Sequence, residues 1–275
     1  MTVTPVAPVA PVALVTGAAR PRGIGRATAM RLARDGCDVA CLDIAHPYAE
    51  APAHGVASAD DLDSVVADIR GLGRQAVAVR ADVSSEDEVD AAVAAASDAL
   101  GTITRVANVA GGSGFGFGVG PLIMVPPTEF RRVLDVNVTG TWLVSRACTS
   151  RMIAAGVGGR ICNVSSQAGK RAYPLLGAYC AAKAAVILLT QAMALEWGSS
   201  GISVNAVCPG TVDTNLINPG GALNDQLKEQ MARNIPLGRI QSADEIAAAI
   251  CWLLSEDAAA VTGEAVNTSA GETMV

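Results

Sequence analysis

The chain has 275 residues, 51% of them hydrophobic, and a net charge of −6. That length and apolar content allow one sizeable core, and the acidic balance without a Lys/Arg cluster excludes a surface built to track nucleic-acid phosphates. Seven cysteines, odd in number and scattered without a C-x-x-C pair, predict buried thiols in a reducing cytoplasm. Cys180, beside Tyr179, reads as a small helix-packing residue in preference to a nucleophile. His46 and His54 share one polar loop with no Cys or carboxylate cluster at ligand spacing, so no metal site is expected.

Residues 1–11 repeat Pro-Val-Ala without a basic start and are expected to be a disordered lead-in, not a signal peptide, to a single domain over 12–275. No uninterrupted apolar run approaches the roughly 20 residues of a membrane span. Val12 to Val15 reads as a short strand closed by Thr16 and Gly17, and Gly23-Ile24-Gly25 opens a helix to about Arg34. Strand, glycine turn and helix make a phosphate-binding arrangement: the glycines let the backbone approach a pyrophosphate, and the helix start offers free N–H groups. Arg20 and Arg22 lie in that turn, where a guanidinium suits a phosphate. The second strand, about 38–43, ends in Asp43 and Ile44, an acid where a dinucleotide's adenosine ribose would present its hydroxyls. The insertion at 46–59 reads equally as a cover over the adenosine side and as a solvent loop.

Helices at about 59–71 and 86–100 then alternate with strands at 76–80 and 105–108. A Gly-rich segment, 112–120, carries Phe115 and Phe117 and is a candidate wall for a substrate pocket, together with Leu122, Ile123 and Leu216. Those walls suggest an uncharged alicyclic or aryl alcohol. Asn137 sits within an expected helix over 130–148, where its poor propensity predicts a kink or a special role. A buried strand ending in Ser165 and Ser166 precedes a helix from Tyr179 to Glu196, free of Pro and Gly, on which Tyr179 and Lys183 share a face. A fixed cation beside a phenol favours the phenolate and brings its pKa down from near 10, as proton transfer at neutral pH requires. Ser166 would hold a substrate oxygen between itself and Tyr179. A strand at 202–207 leads to a mixed segment, 215–239, which starts with Pro219-Gly220-Gly221 as a hinged lid would. A helix at 242–254 and a strand at 264–267 complete the chain.

Four motifs therefore follow one another: the glycine turn, Asn108-Val109-Ala110-Gly111, Ser166 ahead of Tyr179 and Lys183, and Pro209-Gly210-Thr211-Val212-Asp213-Thr214. In this order they resemble the short-chain dehydrogenase/reductase family over essentially the whole chain. The resemblance implies that Asp82 and Val83 contact the adenine, although Asp82 or Ser84 reads equally well as the cap of the next helix. It also implies that Asn108 fixes the central strands and stands with Ala110 and Gly111 on the cofactor side. Lys183 would hold the nicotinamide ribose, and Asn137 a water that links Lys183 to solvent. Pro209, Gly210, Val212 and Thr214 would lie at the nicotinamide. Three departures stand out: Pro21 and Arg22 lengthen the glycine turn by two residues, Val109 replaces an Asn, and Thr268-Ser269-Ala270-Gly271 replaces an acid followed by two glycines. The insertion also resembles that of carveol dehydrogenase-like members, which hold their nicotinamide tightly.

These readings predict an α/β fold, a doubly wound Rossmann-type parallel sheet with helices on both faces. The expected activity is NAD-dependent interconversion of a secondary alcohol and its ketone, with NAD preferred because Asp43 would repel a 2′-phosphate. The expected state is a cytoplasmic homotetramer built on the helices at 130–148 and 179–196. The alternatives are a cofactor-binding regulatory protein without turnover, a 3-oxoacyl-thioester reductase, and an epimerase or dehydratase on the same fold.

Overall fold

The computed structural model describes residues 10–46, 55–215, 217, 218 and 221–275. Most of the lead-in, the part of the insertion that includes His54, and Leu216, Pro219 and Gly220 lie outside the described residues. Seven parallel strands form one sheet: β1 (Val12–Thr16), β2 (Asp38–Asp43), β3 (Ala76–Arg80), β4 (Ile103–Asn108), β5 (Gly159–Val164), β6 (Ile202–Pro209) and β7 (Ala265–Thr268). Their order is β3-β2-β1-β4-β5-β6-β7. Because β1 pairs with both β2 and β4, the winding reverses there and opens a crevice at the carboxyl ends of β1 and β4.

Every residue of β1 and β2 is buried, as strands covered on both faces must be. Alternate side chains serve opposite layers. Ala13 and Val15 pack with α1 (Ile24–Arg34), α2 (Ala59–Gly71) and α8 (Ala243–Leu253), whereas Val12 and Leu14 pack with α3 (Glu86–Leu100), α5 (Gly140–Ala154) and α6 (Gly177–Trp197). Capping boxes start α2 at Ser58 with Asp61 and α8 at Ser242 with Glu245. Ser85 caps α3, so neither Asp82 nor Ser84 has that task.

The helix expected over 130–148 is in fact three pieces. α4 (Pro127–Leu134) passes into a π turn, Asp135–Thr139, before α5 begins, and Asn137 stands buried at the centre of that turn. A residue with poor helix propensity thus coincides with the widened turn. α6 with the turn after it, Gly177–Ser200, is the one described segment long and apolar enough to cross a bilayer by length and composition. Lys183 interrupts its apolar run, and the helix packs against β6 and the 3₁₀ turn Gln167–Gly169. α7 (Asp225–Ala232) lies in the segment that follows β6.

Candidate active site

Two cavities meet at the carboxyl ends of the strands. The first is lined by the glycine turn, the end of β2, Ala81 to Val83 and Val109 to Ser113. The second, about 630 Å³, is lined by Ser113 to Phe115, Ser166, Tyr173, Tyr179 and the residues after β6. Ile24, Ser113 and Thr214 line both, which makes them one continuous cleft.

Close backbone approach explains the glycine turn. Gly17 has φ 66°, and a Cβ there would lie 3.0 Å from Ala110 Cα; a Cβ on Gly25 would lie 2.1 Å from the Gly17 carbonyl oxygen. Thr16 Oγ1 accepts the Val109 and Ala110 N–H groups at 2.9 and 3.0 Å, tying the ends of β1 and β4 together. The two extra residues carry the arginines to separate partners. Arg20 donates to the Gly55 carbonyl, and Arg22, at φ 57°, pairs with Asp213 in the turn after β6. Asp43 accepts the Ala19 and Ala45 N–H groups at 3.0 and 3.2 Å. Burial holds its carboxyl above the ordinary Asp value, against the pull of those N–H groups and of nearby Arg20.

Tyr179 and Lys183 stand one turn apart at the start of α6. Lys183, only 3% exposed, donates from Nζ to the Val164 carbonyl at 2.8 Å and lies 5.5 Å from the centre of the Tyr179 ring. Ser166 follows β5; its hydroxyl accepts the Ala168 N–H at 3.1 Å, and its side chain lines the same cavity as Tyr179. Burial pushes the Tyr179 phenol up to about 12, with the Ser166 hydroxyl acting the other way. Burial also pushes Lys183 down to about 8. The Lys183 ammonium is aimed at a backbone carbonyl, and burial is what dominates the phenol in place of the expected pull from Lys183. Asn137 exchanges hydrogen bonds with Gly112, Oδ1 accepting its N–H and Nδ2 donating to its carbonyl, both at 3.0 Å. A Cβ on Gly111 would lie 2.5 Å from Asn137 Oδ1 and 3.3 Å from Lys183 Nζ, so this glycine is where the two approach.

A family model described as enoyl-(acyl carrier protein) reductase matches residues 17–273. Over 267 residues, 94% of each chain, the protein is 36% identical to a short-chain dehydrogenase/reductase of Armillaria gallica. The chain belongs to the short-chain dehydrogenase/reductase family. It is also 32% identical to a (-)-trans-carveol dehydrogenase of Rhodococcus erythropolis over 277 residues, 95% of this chain and 97% of that one. The crystal structure of a carveol dehydrogenase from Mycobacterium avium in complex with NAD matches with a TM-score of 0.87 at 30% identity, covering 96% of this chain and 98% of that one.

Most family motif residues of this short-chain dehydrogenase/reductase converge on the cleft. Gly17, Arg20, Gly23, Ile24, Gly25, Asp43, Ile44, Asp82, Val83, Ala110 and Gly111 line the first cavity; Pro209, Gly210, Val212 and Thr214 line the second. Asn108 lines neither. Its Nδ2 donates to Ser145 Oγ and Asn163 Oδ1, both at 2.8 Å, so it ties β4 to β5 and α5 beside the cleft, in the strand-fixing role expected of it. Asp82 accepts from Ser84 and pairs with Arg132; burial raises its carboxyl, but these bonds win and hold it below the ordinary value.

Phe115 lines the second cavity, while Phe117 is buried against Val133 and Ala178 beside the first. Leu122 and Ile123, expected as pocket walls, line neither and are exposed. The Gly-rich segment folds back on itself, Gly114 and Phe117 exchanging backbone hydrogen bonds, and this turns the next residues outward. Sequence reasoning missed Arg132, Tyr173, Asp213 and Glu272. Only Asp213 had a local signal, its place inside the Pro209–Thr214 motif.

Proposed function

We propose that this short-chain dehydrogenase/reductase uses NAD to interconvert a secondary alcohol and its ketone. One observation carries the reading: the Ser166 and Tyr179 side chains line a cavity continuous with the cleft that the glycine turn, Asp43 and Asp82 line. The residues present fit the cofactor. Gly17, Gly25 and Gly111, where the chain packs too closely on itself for a Cβ, line the cleft with bare backbone, Asp43 lines it at the end of β2, and Asp82 and Val83 line it beyond β3. Bound there, the nicotinamide supplies or receives a hydride. Tyr179 gives its O–H proton to the ketone oxygen, or takes the alcohol proton in the reverse direction, and Ser166 Oγ orients that oxygen. Lys183 holds the nicotinamide ribose and places a positive charge behind the phenol. Asn137, set by the π turn, carries the water that returns protons from solvent. The relatives named as carveol dehydrogenases support an alicyclic alcohol, as do the apolar side chains of Phe115, Val119, Leu176 and Ile217 in the substrate cavity.

The segment at 215–239 acts in this proposal as a lid over the nicotinamide end. Asp213 supports that role: Arg22 of the glycine turn, Asn218 and Lys228 of α7 all bond to its carboxylate. The proposed state is a cytoplasmic homotetramer, supported by apolar side chains left exposed on α5 and α6, among them Trp142, Ile153, Leu188 and Leu195. The test is NADH formation by the purified protein on a panel of secondary alcohols. Turnover that is lost in Tyr179→Phe is expected; no turnover with any alcohol or ketone would favour a cofactor-binding protein without catalysis.

A further inference from the structure

The substrate cavity is apolar along Phe115, Val119, Leu176 and Ile217, yet one wall carries a carboxylate, that of Glu272. Nothing in the expected machinery accounts for it. Glu272 Oε2 accepts the Thr211 N–H and the Thr211 hydroxyl, each at 3.1 Å. The same oxygen would lie 2.9 Å from a Cβ on Gly210, so the glycine of the Pro209-Gly210 turn is what lets the carboxylate approach. Among the described residues the other oxygen, Oε1, has only a long contact of 3.4 Å with the Thr211 hydroxyl. Among the described residues Glu272 makes no ion pair.

The backbone beneath it is clamped. Ser269 Oγ donates to the Thr273 carbonyl at 2.9 Å and accepts the Thr273 N–H at 3.1 Å, while the Glu272 N–H donates to the Ser269 carbonyl at 3.0 Å. Thr273 Oγ1 donates at 3.1 Å to Gln167 Oε1, and Gln167 directly follows Ser166. The replacement of the family's acid and two glycines by Thr268-Ser269-Ala270-Gly271 therefore has a consequence: the Ser269 hydroxyl fixes Glu272 against the cavity. Tyr173 lines the same cavity, and its hydroxyl is buried without a hydrogen-bond partner among the described residues. Arg171 links the two, its guanidinium 4.9 Å above the Tyr173 ring and its Nη1 donating to the Glu272 carbonyl at 3.5 Å.

We propose that Glu272 and Tyr173 form a recognition site for a second hydroxyl of the substrate, so that the preferred substrate is an uncharged diol or hydroxyketone. The second O–H donates to the Glu272 carboxylate, and its oxygen accepts from the Tyr173 O–H. A carboxylate only accepts, and a hydrogen bond to it is about twice as strong as one between neutral groups. A substrate with no second hydroxyl leaves Glu272 Oε1 with its long contact alone and the Tyr173 hydroxyl unmatched within an apolar wall. A substrate bearing an acid is repelled, and an ammonium would have to shed its water among Phe115, Val119, Leu176 and Ile217. The inference rests on the dehydrogenase reading of this cavity.

The test compares kcat/KM with NAD for cyclohexanol, the cyclohexanediols, an aminocyclohexanol and a hydroxycyclohexane carboxylate. The wild-type chain is expected to favour its best diol over cyclohexanol by about tenfold, the factor given by ~1.4 kcal/mol, mostly through KM. Glu272→Gln, which keeps an acceptor but loses the charge, is expected to shrink that ratio about threefold or more. Thr211→Val and Tyr173→Phe, each checked by thermal melting, should shrink it too. Turnover of cyclohexanol with no diol advantage, a ratio unmoved in all three variants, or a preference for the aminocyclohexanol would overturn this inference while leaving the dehydrogenase standing. Absence of NADH with every alcohol would remove the dehydrogenase reading and this inference with it.

Discussion

At the scale of single residues, burial governs the chemistry of the Tyr179/Lys183 pair. A phenol raised to about 12 stays protonated at neutral pH, so oxidation, which needs that oxygen to accept a proton, should gain in kcat/KM as pH rises through 8 and beyond. A flat profile over that range would contradict it. Lys183 allows a separate stability test. Its folded value, about 8, lies below the ordinary 10.5, so the unfolded chain binds more protons between those pH values and stability rises with pH across that window. Below it, the full cost of the buried ammonium is present. Lys183→Met, measured without added cofactor, is therefore expected to melt higher than the parent at pH 7, and the gain should fade as the pH passes from 8 to above 10.5. Asn137 was legible as an oddity because its type conflicts with a helix interior. Its bonds to Gly112 were not legible, because they depend on a long-range approach that no local pattern encodes.

At the scale of elements, what could be read from the chain was what local physics dictates. β1, the glycine turn and α1 follow from an apolar run, residues able to take positive φ, and a helical stretch, and each occurs where expected. The Ser/Tyr/Lys stretch was equally plain. The Leu122 and Ile123 expectation failed because the exposure of a loop residue depends on how the Gly-rich segment before it folds. Glu272 was invisible for a related reason, since it meets Gly210 only through the pairing of β6 with β7. Asp213 joins the glycine turn, the residues after β6 and α7 through Arg22, Asn218 and Lys228. Half-exposed pairs of this kind contribute about 0.2–1 kcal/mol each. Asp213→Asn should thus change the melting temperature little, yet speed protease cleavage within 215–239 and NADH dissociation in stopped-flow mixing. Unchanged cleavage and dissociation would show that this carboxylate does not hold the segment closed.

At the scale of the molecule, the parallel sheet puts every cofactor-side element at the carboxyl ends of its strands and leaves α5 and α6 with exposed apolar side chains on the flank. Light scattering is expected to give four times the chain mass of 27.8 kDa, and a monomer at micromolar concentration would defeat the tetramer. Cofactor preference follows from charge placement. Arg22 is committed to Asp213, whereas Asp43 is fixed by two backbone N–H groups at the end of β2, where a 2′-phosphate would face it. Like charges at about 4 Å repel by ~1 kcal/mol in water and ~4 at an intermediate dielectric, so NAD should be favoured over NADP by at least about tenfold in kcat/KM. Equal rates with NADP would mean that Arg20 governs the adenosine end. The most direct measurement of all is NADH absorbance on mixing the protein with NAD and a panel of secondary alcohols, wild type beside Tyr179→Phe. The account predicts NADH from the wild type, a kcat at least about 100-fold lower in Tyr179→Phe, and undiminished NADH binding by both. Turnover by Tyr179→Phe near the wild-type rate would contradict it.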